Sequence, residues 1–149
     1  MITADEMKRL WLKRTNKSIP EDLYVAGLTT YDRARNLKEI NVCDLENTPQ
    51  RAIIHEFGHF VDVMNGQPST NSRQFMKIYS REKYTYVDSD GSEDYCNIKN
   101  DIHEYFASIY DEYVKNPLNL RAKAPESYFF IERCVKDIPV GTEKNTFWY

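Results

Sequence analysis

From Thr48 to Gly66 the chain reads TPQRAIIHEFGHFVDVMNG, a stretch with the start and stop signals of one helix. Thr48 can cap the first turn, Pro49 suits the first helical position, and Gly66 followed by Pro68 closes the last turn. Inside it stands His55-Glu56-Phe57-Gly58-His59, an H-E-x-x-H motif. Positions i and i+4 share one helix face, so two imidazoles can point at one metal ion while the glutamate between them projects beside it. That is a half-built zinc site with its own general base. The competing reading is an accidental pair on an amphipathic helix, and the helical context weighs against it. Ile53, Ile54, Phe57, Val61 and Met64 supply an apolar face, whereas His55, Glu56, His59 and Asp62 gather on another side. The spacing predicts that core and chemistry occupy different faces.

Two histidines do not hold a catalytic zinc. A third protein ligand is needed, with the fourth position left to water or substrate. Downstream, the run from Asn100 to Tyr110, NDIHEYFASIY, offers His103 and Glu104. Adjacent helical residues point about 100° apart, so only one of them can face the histidine pair. The residues by themselves leave both open. Asp62, three positions after His59, is on a suitable face to fix the tautomer of a ligand imidazole, with a solvated or salt-bridged carboxylate as the plain alternative.

Three segments in order, HEFGHFVD, HEYFASIYDEY and KAPESYFFI (Lys123 to Ile131), resemble the catalytic domain of the anthrax lethal factor family of zinc metallopeptidases, which includes secreted Pro-Pro endopeptidases. The resemblance implies an α+β fold: a mainly helical, zincin-like domain with a small β-sheet whose edge strand lies beside the active-site helix. It implies a zinc endopeptidase holding one Zn2+ per chain, with His55, His59 and Glu104 as ligands. Glu56 would be the general base that takes a proton from the attacking, zinc-activated water. The partner would be a protein or peptide substrate. His103 would then be an outer or surface residue.

Two positions depart from the family pattern. Where the family often carries a second acidic residue, four positions after the ligand, this chain has Ser108, which would take that supporting place beside Glu104. Where the family has an oxyanion-stabilising tyrosine, seven positions before the ligand, this chain has Asn97. Tyr95, nine before Glu104, could serve if the intervening loop bulges, with Tyr84 and Tyr86 as further candidates. These departures keep two alternatives in play: a catalytically silent module that uses the same cleft to bind or regulate peptides, and a small zinc hydrolase of another substrate.

The whole chain, 149 residues with 41% hydrophobic, 29% charged and 13% aromatic content, is expected to form a single domain. A net charge of −3 gives no reason to expect nucleic acid or an acidic membrane as partner. No apolar run approaches membrane-spanning length, and the N-terminus lacks a signal peptide's apolar core. The chain as given is expected in the cytoplasm, or outside the cell if a leader was removed. Cys43, Cys96 and Cys134 are scattered and odd in number, as in a reducing compartment.

Thr3-Ala4-Asp5-Glu6 is a capping-box pattern that opens a helix over residues 4 to 14, followed by a loop from Asn16 to Asp22. Leu23 to Thr30 and Leu37 to Val42 are expected strands. In the resembled family the strand before the zinc helix is an edge that pairs with extended peptide. Lys38 and Glu39 equally suit a plain blunted edge. Further helices are expected over 72 to 83, with Phe75, Met76 and Tyr79 inward, over 101 to 115, and over 126 to 137. Residues 84 to 100 read as a long loop, whose Asp88, Asp90, Glu93 and Asp94 lack the spacing of a calcium loop. The tail from Pro139 to Tyr149 is left open between packing back on the domain and disorder.

Overall fold

The computed structural model describes residues 2–18, 27–32, 37–42, 49–86 and 95–137. Helix α1 (Ala4–Thr15) starts as its capping box requires: Glu6 N–H donates to Thr3 Oγ1 at 3.3 Å, and Thr3 N–H donates to the Glu6 carboxylate at 2.8 Å. It stops at Asn16, held at φ 56, a left-handed conformation that asparagine tolerates better than most residues. Strands β1 (Gly27–Asp32) and β2 (Leu37–Val42) form an antiparallel pair, with Gly27 opposite Val42 and Asp32 opposite Leu37. The expected first strand is therefore shifted: its residues 23–26 lie outside the described residues, and pairing continues to Asp32. Both strands lie against helix α2 (Pro49–Met64), which carries the H-E-x-x-H motif. The fold is a mainly helical α+β domain with a small sheet beside that helix. Thr48, the expected cap of α2, lies outside the described residues.

Two stop signals turn out to be start signals as well. Gly66, at φ 79, closes α2, yet Pro68 is at once the first residue of a short helix α3 (Pro68–Asn71). Asn116 and Pro117 end α6 (Ile102–Lys115) and open α7 (Pro117–Lys123), where Asn116 Oδ1 accepts the Asn119 N–H at 3.2 Å. A proline that cannot continue one helix is already set for the first turn of the next, because its missing N–H is unneeded there. Neither α3 nor α7 was expected.

Helix α4 (Arg73–Glu82) is capped by Ser72, which accepts the Phe75 N–H at 3.1 Å. Its inward face is Phe75, Ile78 and Glu82, while Met76 is 41% exposed, which corrects the expected stripe by one position. Residues 84 to 100 are not one loop, since Tyr95–Asn100 form helix α5. The Lys99 carbonyl at its C-terminal end accepts the Tyr79 hydroxyl at 2.6 Å and the Lys83 ammonium at 3.1 Å, so α4 supplies what so short a helix cannot satisfy alone. The acidic residues between Asp88 and Asp94 and the tail from Pro139 lie outside the described residues. Phe75 is the centre of the core, with Phe130 at 4.9 Å and Phe106 at 5.2 Å between ring centroids, and Val61, Tyr105, Ile109 and Ile131 fully buried around them. No helix among the described residues is long and apolar enough to cross a membrane.

Helix α8 (Pro125–Lys136) begins at Ala124, which has no side-chain cap of its own. The cap comes from 44 residues earlier in sequence: the buried Glu82 carboxylate accepts the Glu126 N–H at 2.9 Å and the Ser127 N–H at 2.8 Å. Ser127 Oγ also bonds the Tyr105 hydroxyl at 2.8 Å, joining α8 to the middle of the core. This explains the A-P-x-S pattern structurally: a small residue, a proline at the first position and a serine turned inward. Glu82→Ala would leave two backbone donors without a partner, at a cost of about 3 kcal/mol. Thermal unfolding should show it as a fall in Tm of roughly 6–12 °C. An unchanged Tm would refute the capping role.

Candidate metal centre

Helices α2 and α6 cross at Gly58. A Cβ built on Gly58 would stand 2.8 Å from the Ala107 Cα and 2.9 Å from its carbonyl oxygen, distances that real Cβ atoms do not occupy. Only glycine lets the two backbones approach so closely. The second free position of H-E-x-x-H is thus set by packing, and the contact brings Glu104 of α6 over the two histidines of α2.

The Glu104 carboxylate reaches both. His55 Nε2 is 3.1 Å from one Glu104 oxygen and His59 Nε2 is 3.5 Å from the other. The two imidazoles meet edge to face, with centroids 5.1 Å apart. One potential ligand atom from each of His55, His59 and Glu104 lies within 4.8 Å of the others, and all three side chains are half-buried. Two imidazole nitrogens and a carboxylate oxygen are a donor set that suits zinc. Asp101 caps α6 and accepts the His103 N–H at 2.8 Å and the Glu104 N–H at 3.4 Å, so the carboxylate sits in the first turn of its helix.

Burial alone would raise the Glu104 pKa, but the hydrogen bonds from His55 and His59 hold it well below the usual carboxylate range. Burial alone would lower the His59 pKa, but Glu104, with Glu56 and Asp62 nearby, holds it above the ordinary imidazole value.

Glu56 is buried, at 7% exposure, on the turn between the two histidines. His103 faces elsewhere: its Nδ1 is 2.7 Å from Ser69 Oγ, which settles which member of the adjacent pair turns to the histidines. Asp62 is also buried and is bonded to α3, with Ser69 N–H donating to one oxygen at 3.0 Å and Ser69 Oγ donating to the other. Val61 and Phe57 of α2 join the core while His55 and His59 turn to Glu104, but Ile53 is 44% exposed and Glu56 and Asp62 are buried, so the two sides of the helix differ in partner more than in burial. Ser108 is buried one turn after Glu104, and its carbonyl accepts the Tyr86 hydroxyl at 3.1 Å. That bond places Tyr86 in the core, not over the cluster of His55, His59 and Glu104. Tyr84 is 65% exposed, beneath the Lys83 and Lys99 ammonium groups. Tyr95 opens α5, so no loop bulges out from it, and its side chain lies outside those described. Sequence reasoning missed Gly58 and Ser69; a glycine inside a helical motif was the available signal for the first.

A sequence-family model described as "Anthrax toxin lethal factor, N- and C-terminal domain" matches residues 15–134. A search of curated proteins found no match.

Proposed function

We propose, from the premise that this chain belongs to the anthrax toxin lethal factor family, that it is a zinc-dependent endopeptidase. The observation that carries the proposal is the convergence of His55, His59 and Glu104, with ligand atoms within 4.8 Å of one another and a buried glutamate beside them. The three side chains would hold one Zn2+ and leave a position open. Zinc, when bound, supplies a Lewis acid that polarises a carbonyl and lowers the pKa of coordinated water to about 7. Glu56, on the helix turn between the histidines, would accept the proton of the attacking water at its carboxylate and return it to the departing amine. The β1–β2 pair against α2 offers backbone groups along a strand, which suits an extended peptide whose main chain can pair with it. The substrate would accordingly be a protein or peptide.

Metal analysis of the purified protein should give close to one zinc per chain, falling to near zero in His59→Ala and in Glu104→Ala. Zinc uptake should weaken as pH falls and protons reclaim the ligands, and His59, with its raised pKa, should start this loss at higher pH than an ordinary imidazole would. Unchanged zinc content in either variant would break the ligand set. Digestion of a generic peptide library by the zinc form tests the activity. A protein that binds zinc and peptides but cleaves none would instead be the silent module.

A further inference from the structure

We propose that Ser69 and His103 are positioning residues of the metal site, forming with Asp62 a latch that holds Glu104 in ligating position. The inference rests on the metal reading above. Glu104 is in the first turn of α6, where its own N–H makes only a 3.4 Å bond to the Asp101 cap. First turns lack the full set of intrahelical hydrogen bonds and fray first, whereas a ligand must be held to a few tenths of an ångström. An outside hold is therefore needed there.

The latch supplies one. Asp62 follows His59 by three residues on α2, and His103 immediately precedes Glu104 on α6. Ser69, only 1% exposed, lies between them, with Oγ 2.7 Å from His103 Nδ1 and hydrogen-bonded to Asp62 Oδ2. The direction of the chain follows from proton count. A carboxylate has no proton to give and the hydroxyl has one, so Ser69 donates to Asp62 and accepts from His103 Nδ1–H. The backbone that delivers Ser69 is unusual: Gly66 at φ 79 and Gln67 at φ 54 form two successive left-handed residues. Gln67 N–H closes on the Asp62 carbonyl at 2.8 Å, and Asn71 Nδ2 donates to the Gly66 carbonyl at 2.9 Å. A non-glycine residue kept in that region marks a turn whose shape is over-determined by its surroundings. Here the turn folds α3 back so that its serine reaches both zinc helices.

The test uses the full chain loaded with zinc or Co2+. Ser69→Ala and His103→Leu should each weaken zinc affinity by about 10- to 100-fold in chelator competition, and should alter the visible spectrum of the Co2+ form. The double variant should be no weaker than either single one, because both break the same chain. His103 is half exposed, so its replacement keeps the fold even if Ser69→Ala does not. A merely structural role would lower Tm and leave zinc affinity and the Co2+ spectrum unchanged, which would overturn the latch. Wild-type protein that takes up no zinc would overturn the metal reading itself, and the latch with it.

Discussion

Glu56→Gln is expected to retain one zinc per chain and to lose at least about 100-fold in turnover on any peptide the wild type cleaves. Glutamine has nearly the same shape and volume, so a residue that is only 7% exposed can be exchanged without opening a cavity. It differs in one respect that matters: an amide does not accept a proton at neutral pH. The metal is expected to stay because the converging ligand atoms belong to His55, His59 and Glu104. The variant thus separates the base from the ligands, which alanine at His55 or His59 cannot do. Parallel measurement of kcat and of zinc content checks both halves. Equal turnover in the two proteins would refute the general-base mechanism, and loss of zinc would make Glu56 a ligand.

The parts legible in the sequence were those encoded locally. The α2 helix, its paired histidines, the capping box of α1 and the strand from Leu37 to Val42 depend on residues within a few positions of one another, and these came out with nearly the observed bounds. What was hidden depends on partners distant in the chain. Nothing near Ala124 announces that Glu82 will cap its helix, and nothing near Ser69 announces that His103 will meet it. Glu104 was chosen over His103 only through family resemblance, because a choice between neighbours on one helix is made by what packs against each side. In this fold Ser69 draws His103 toward α3, and the crossing at Gly58 gives the other side to Glu104. Short helices such as α3 and α5 were missed for a related reason. Four to six residues carry too little periodicity to register, and their ends are satisfied by other elements.

Gly58→Ala should weaken zinc binding by at least about 10-fold although it adds a single methyl group on a helix that alanine would otherwise favour. The gain in helix propensity is about 1 kcal/mol. Against it stands a Cβ at 2.8 Å from the Ala107 Cα and 2.9 Å from its oxygen, with the Tyr110 Cβ at 3.2 Å. Carbon atoms rest at about 3.5–4.0 Å, so α2 and α6 must part by roughly 0.7 Å or more. Overpacking of this kind costs about 1–3 kcal/mol, leaving the fold only modestly destabilised and the protein measurable. The ligand set has no such tolerance, because zinc distances hold to about 0.2 Å and the third ligand is carried on the displaced helix. Chelator competition on the folded variant reads the effect, and Gly58→Val should deepen it. The origin of the strain gives a sharper control. Two of the three atoms in the way belong to the Ala107 backbone, so Ala107→Gly, which trims only a side chain, should fail to restore zinc binding to Gly58→Ala. Recovery of affinity in that double variant would mean that side-chain bulk, rather than backbone approach, limits how closely the two helices meet.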